Sequence, residues 1–140
     1  MSAFLSTVLA ILMSVLAVVY PAKPENVKVT VRPVTTQSSG ITFECENRTR
    51  RTIDKPTVSA IEKKDENGNW QSVDVTYGWT DIGYNLSPGE SAVDSIILGN
   101  FFDEFEGFEK GEYRLTVKYT LKADGITAYS SGEFTVTDPS

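Results

Sequence analysis

The sequence predicts an all-β protein: an antiparallel β-sandwich of about seven strands, preceded by one N-terminal hydrophobic helix. Three observations predict it. Period-two alternation of apolar and polar residues recurs in short runs along residues 23–140, the pattern of half-buried strands. Turn residues separate the runs at intervals of about 8–12 residues, as in sandwiches and barrels. Residues Met1 to Ala22 carry no charge, and every acidic and basic side chain lies beyond them. The chain therefore divides into a hydrophobic signal or anchor helix, 1–22, and one folded domain, 23–140, a length that suits a single core.

The leader is apolar apart from Ser2, Ser6, Thr7 and Ser14 in its first twenty residues. As a helix rising 1.5 Å per residue it reaches about 33 Å, close to the roughly 30 Å hydrocarbon core of a bilayer. A cleaved secretory signal calls for a basic n-region and small residues before the cut. Here no Lys or Arg precedes the apolar run. Val15-Leu16-Ala17 is followed by more apolar residues, and Tyr20-Pro21-Ala22 puts a bulky ring before the cut. An uncleaved anchor fits better than a cleaved signal, and a helix buried in the domain is the third reading. The nearest basic residues, Lys23 and Lys28, lie on the domain side, which the positive-inside rule reads as cytoplasmic. The character of the domain points the other way, to an extracytoplasmic setting. No cysteine ends the run, so a lipoprotein anchor is excluded.

Val27, Val29 and Val31 alternate with Lys28, Thr30 and Arg32 in the first strand. Ser38-Ser39-Gly40 turns the chain into a second. There Ile41, Phe43 and Cys45 share one face, and Thr42, Glu44 and Glu46 the other. Cys45 reads as a buried structural thiol, since two flanking glutamates oppose a thiolate. A third strand runs from about Thr57 to Lys64 and ends at Asp65-Glu66-Asn67-Gly68-Asn69, with Trp70 to Val75 as its return. Asp65, Asn67 and Asn69 have the spacing that opens a calcium loop. However, Trp70 stands where that loop needs glycine and Thr76 where it needs Glu. Asn-Gly between two strand patterns marks a hairpin instead.

Gly78 to Tyr84 follows, then a Ser87-Pro88-Gly89 turn and an apolar strand from Ser91 to Leu98. Asn100 to Gly111 reads as a loop carrying Phe101, Phe102, Phe105 and Phe108 among acidic residues. Tyr113, Leu115, Val117 and Tyr119 alternate with Arg114, Thr116, Lys118 and Thr120 in the clearest strand of the chain. Gly111-Glu112-Tyr113 opens it as a tyrosine corner does, with the hydroxyl tying down the preceding connection. Lys122-Ala123-Asp124-Gly125 turns the chain into a last strand with Phe134 and Val136 facing inward.

Composition removes several function classes. The net charge of −6 falls entirely on the domain and would repel nucleic acid. Arg48, Arg50 and Arg51 are the nearest approach to a basic patch and read as a solvated turn. Histidine is absent. That rules out a Ser-His-Asp or Cys-His nucleophile, histidine-bound zinc and an imidazole proton shuttle. Cys45 is the sole cysteine, so no intrachain disulfide exists. Asp103, Glu104, Glu106, Glu109 and Glu112 offer carboxylates for glycoside hydrolysis or calcium, but a solvated acidic loop is the stronger reading. No catalytic residue, cofactor site or metal site emerges, and the chain does not read as an enzyme. Asn47-Arg48-Thr49 and Asn85-Leu86-Ser87 are formal glycosylation sequons and read as coincidence.

The run from Trp79 to Tyr119 resembles the bacterial immunoglobulin-like domains of exported Gram-positive proteins. The matching residues are Thr80-Asp81-Ile82-Gly83-Tyr84, the turn Leu86-Ser87-Pro88-Gly89-Glu90, and Gly111-Glu112-Tyr113-Arg114-Leu115. Upstream, Ile61-Glu62-Lys63-Lys64 with Gly68-Asn69-Trp70 resembles the family's hairpin, and Gly40-Ile41-Thr42-Phe43 the strand before it. The resemblance covers nearly all of residues 26 to 137. The phenylalanine-rich, proline-free segment 101–110 departs from it, where the family has a short proline-containing loop. The resemblance implies an immunoglobulin-like sandwich in an extracytoplasmic setting and no activity, since a shared fold does not transfer function.

The expected function is a non-catalytic interaction or spacer module at the bacterial cell surface. It is membrane-tethered through the N-terminal helix, or secreted, and has a protein or glycan partner. A glycan-binding module would stack sugars on Tyr77, Trp79 and Tyr84. The expected partner surface comprises Phe102, Phe108, Tyr77 and Trp79, set against the alternative that phenylalanines of the 100–110 loop plug the open end of the sandwich.

Overall fold

The computed structural model describes residues 26–74, 77–78, 83–99 and 106–140. The expected leader helix lies outside the described residues. Those described form strands, turns and irregular segments, with no helix among them.

Two sheets face each other, as the sequence predicts. The first contains β1 (Val27–Val31), β3 (Gly40–Asn47), β7 (Tyr77–Gly78) and β9 (Ser91–Leu98), in the order β1-β3-β9-β7. The second is built on the long hairpin of β10 (Gly111–Leu121) and β11 (Ile126–Thr137). β2 (Val34–Thr35) lies beside β11. On its far side β10 pairs along its length first with β5 (Thr57–Lys64) and then with β4 (Ile53–Asp54). β6 (Trp70–Ser72) extends β5, and β8 (Asn85–Leu86) extends β4. Leu115 and Val117, on β10, are fully buried, as are Phe43, Ile41 and Ile96 from the opposite sheet.

Among the described residues eleven strands stand where about seven were expected. The extra strands include β2 and β4, which lie outside the expected runs. Pro33 has no N–H to give a ladder, and the first run breaks there. β1 pairs antiparallel with β3, whereas β2 crosses over and lies parallel to β11. Most of the run from Gly78 to Tyr84 lies outside the described residues; β7 at its start and β8 just after it belong to different sheets. The return strand after the Asn-Gly hairpin ends at Ser72 rather than Val75.

The turns form as the side chains dictate. Asp65 Oδ1 accepts from the Asn67 and Asn69 N–H groups, both at 2.9 Å, and Gly68 takes φ 82°. This Asx geometry is the hairpin, so these carboxylate and amide groups are engaged with their own backbone. Towards the middle of β11, opposite Leu115, the two sheets approach closely. A Cβ on Gly132 of β11 would lie 2.5 Å from the Val29 carbonyl of β1.

Candidate interaction surfaces

Of the four expected surface residues, only Phe108 has a described side chain. Phe108 is a correction: it is 5% exposed and belongs to the core. Its ring meets Tyr113 edge-on at 5.5 Å, and Tyr113 stacks on Phe134 at 5.5 Å. Gly107 explains the inward turn. It takes φ 103°, and a Cβ there would lie 2.5 Å from the Thr36 carbonyl, so the loop presses against the β2 turn and directs Phe108 inside. Tyr113 then closes the corner, donating its hydroxyl to the Glu109 carbonyl at 2.7 Å. Phe102 and Trp79 lie outside the described residues. Tyr77 is placed by its backbone, opposite Leu98 on β9.

Other polar groups join the two sheets. Lys55, between β4 and β5, reaches Asp94 of β9 at 3.2 Å, with side chains 8% and 18% exposed. Its ammonium also lies 5.6 Å from the centre of the Tyr84 ring. Tyr84 is partly buried, and its hydroxyl pKa is pushed up to about 12, first by burial and then by the Asp94 charge. Burial does the same to the Cys45 thiol, again to about 12, with Asp94 and Glu44 adding to it. A thiol so raised stays protonated and is a poor nucleophile.

On the outer face of the second sheet, Trp70 is covered rather than displayed. The Arg114 guanidinium sits 4.6 Å from its ring centre and the Lys64 ammonium 5.3 Å. Arg114 also forms a two-pronged pair with Glu62, at 2.8 and 3.1 Å, which holds the Glu62 carboxyl below its ordinary pKa. Lys63 pairs with Glu109 and Lys64 with Glu112. Two members of the expected acidic cluster are thus tied to the β5 lysines. The register of the β5–β6 hairpin sets Lys64 opposite Trp70, and β10 alternation sets Arg114 beside Glu62. That clamp was within reach of the sequence, through the pairing of charge and aromatic positions.

The turn that carries the arginines is also pinned. Asn47 is fully buried; its amide donates to the Arg51 and Leu86 carbonyls and accepts from the Thr49 N–H and hydroxyl. Arg48 pairs with Glu46, and Arg51 with Asp124. The formal sequon at Asn47 is therefore a structural plug. A shallow recess of about 250 Å³ opens nearby, with Tyr119, Leu121, Ile126 and Ala128 on its apolar side. No buried side-chain polar atom lacks a hydrogen-bond partner, and no cluster suited to a metal ion occurs, among the described residues.

The model of the bacterial Ig-like domain family matches residues 23–134, and the chain belongs to that family. No curated protein matches the sequence significantly. Among solved structures, the ApaA protein of Bordetella pertussis is similar at a TM-score of 0.50 and 20% identity, over 81% of this chain and 93% of that one. The E. coli chaperone DraB aligns at 0.49 and 15% identity, over 81% of this chain and 56% of its own. PapD-like domain 7 of human CEP192 aligns at 0.40 and 17%, over 84% and 89%. Identities this low speak to the fold alone, and of these three the ApaA alignment has the highest TM-score.

Proposed function

We propose that this protein is a non-catalytic interaction or spacer module at the bacterial cell surface, tethered by residues 1–22 or released by their cleavage. One observation supports the non-catalytic reading most directly: the buried thiol and several of the charged side chains described are engaged in holding the fold. Cys45 is buried and protonated, Lys55 joins the sheets through Asp94, and Glu109 and Glu112 pair with lysines. Family membership supports a module rather than an enzyme, and the uncharged run Met1–Ala22 supports export. A Gram-positive source fits the resemblance of the Leu86–Glu90 and Gly111–Leu115 motifs. The glycan reading gains less support, because Tyr84, one of its three rings, is partly buried beside Lys55.

Surface shaving tests the reading. Trypsin added to intact cells making the full chain should remove the domain while a cytoplasmic marker survives. Mass spectrometry of the membrane fraction should recover peptides from within residues 1–22 if the anchor is retained. A domain protected until lysis would overturn the surface assignment. A mature N-terminus near Val18 or Lys23 would select secretion over tethering.

A further inference from the structure

β11 has two unlike edges. One pairs with β10 from Ile126 to Val136 without a register shift. The other, among the described residues, pairs only with β2, at Val136 and Thr137. The Thr36 N–H donates to the Thr137 carbonyl at 3.0 Å, so the main chain of Thr137 faces this second edge. Successive residues of a strand face alternate edges. Thr127, Tyr129 and Ser131 therefore also aim their N–H and C=O groups at it. Their side chains stand on the outer face, where Tyr129 is 60% exposed.

β1 approaches β11 at Gly132, beneath the Val29 carbonyl. From there to the hairpin turn the edge is open among the described residues. Folded proteins guard such edges with prolines, charges or bulges. The segment Ile126-Thr127-Ala128-Tyr129-Ser130-Ser131 has none of the three. In a molecule of net charge −6 this stretch of the edge carries no carboxylate of its own.

We propose that this edge pairs antiparallel with the same edge of a second copy, about a two-fold axis at Tyr129. The stretch is complementary to itself, which is why the occupant is a second copy. With Tyr129 opposite Tyr129, Thr127 of each copy faces Ser131 of the other. All three outward residues of each strand then exchange bonds, giving about six main-chain hydrogen bonds. The same axis sets the two exposed tyrosine rings side by side, a favourable cross-strand pair. Such an isologous contact closes as a dimer, and β1 and β2 limit its length at the far end.

Cysteine crosslinking of the full chain tests the register, because the native Cys45 is buried and silent. Directly opposed residues in a hydrogen-bonded pair lie about 5.5 Å apart at Cα, within the span of a disulfide. Tyr129→Cys should convert most of the chain to a disulfide-linked dimer under mild oxidation, where the unaltered chain gives none. Thr127→Cys and Ser131→Cys, each alone, set their thiols about 14 Å apart and should stay unlinked, whereas a mixture of the two should link. Adding Thr127→Pro to Tyr129→Cys removes an outward N–H without touching β10. It should abolish the crosslink with the circular dichroism spectrum unchanged. Absence of the Tyr129→Cys dimer, equal linking by all three single cysteines, or linking of Tyr129→Cys to a different protein would each overturn the proposal.

Discussion

Asn47 shows how much a single buried amide holds. Its two donors and its oxygen join β3, the arginine turn and β8. Asn47→Ala takes the amide away from the Leu86 carbonyl and the Thr49 N–H, while the Thr49 hydroxyl and the Arg51 carbonyl keep each other; each group left unmade in the interior costs about 1–3 kcal/mol. Urea denaturation should show a loss of at least about 2 kcal/mol, and an unchanged midpoint would mean that water replaces the amide. Cys45 makes a second residue-scale prediction. It is 2% exposed on the inward face of β3, so the native protein should resist alkylation until it unfolds. Cys45→Ser should cost on the order of 1–3 kcal/mol by burying a hydroxyl without a partner. Rapid labelling of the folded chain would contradict the packing.

At the scale of elements, the end of the sandwich is closed by Phe108, Tyr113 and Phe134 acting together across the loop and the β10–β11 hairpin. Phe108→Ser should destabilise by roughly 3 kcal/mol or more and lower the melting temperature by several degrees. Calorimetry reads this directly, and a melting point within one degree of the parent's would show that Phe108 contributes no packing. The two salt-bridge settings should also differ. Removing the carboxylate from Lys55, by Asp94→Ala, acts on a pair whose side chains are 8% and 18% exposed, and truncation of buried pairs costs about 3–5 kcal/mol. Lys63 and Glu109 pair at the surface, with side chains 30% and 86% exposed. Glu109→Gln should cost no more than about 1 kcal/mol and less in high salt.

For the whole molecule, the ionisable groups define a window of pH stability. Glu62, Glu109, Glu90 and Asp65 have pKa values lowered in the fold by hydrogen bonds from Arg114, Lys63, Ser87 and Asn69 respectively. A carboxyl lowered in this way stabilises the fold above its unfolded pKa, and the contribution is lost as pH falls through the folded value. The melting temperature should therefore fall as the pH drops below about 4.5, the ordinary glutamate value here. Cys45 and Tyr84 act at the alkaline end. Their folded pKa values, about 12, exceed ordinary values of 9.0 and 10.0, so their contribution is full below pH 9 and declines as pH rises toward 12. Melting curves across pH should show both limbs, and Cys45→Ala should flatten the alkaline one in part. An alkaline limb unaltered by that substitution would assign it to other groups.

Alternation along the chain was enough to tell which face β1, β3, β10 and β11 bury. Side chains alternate across a strand, so Ile41, Phe43 and Cys45 on β3 and Tyr113 to Tyr119 on β10 sort inward by a local rule that needs no partner. The Asn-Gly hairpin and the tyrosine corner were equally legible, because a few adjacent residues make the bonds that define them. Tertiary structure alone decided what meets what. Nothing local says that the chain divides between two sheets at Pro33, or that Asn47 of a sequon turns inward. Lys55 finds Asp94, and Phe108 finds Tyr113, only after the sheets have docked and the chain has closed around them. Those contacts are set by long-range packing in the folded molecule, and periodicity along the chain carries no record of the distance between segments.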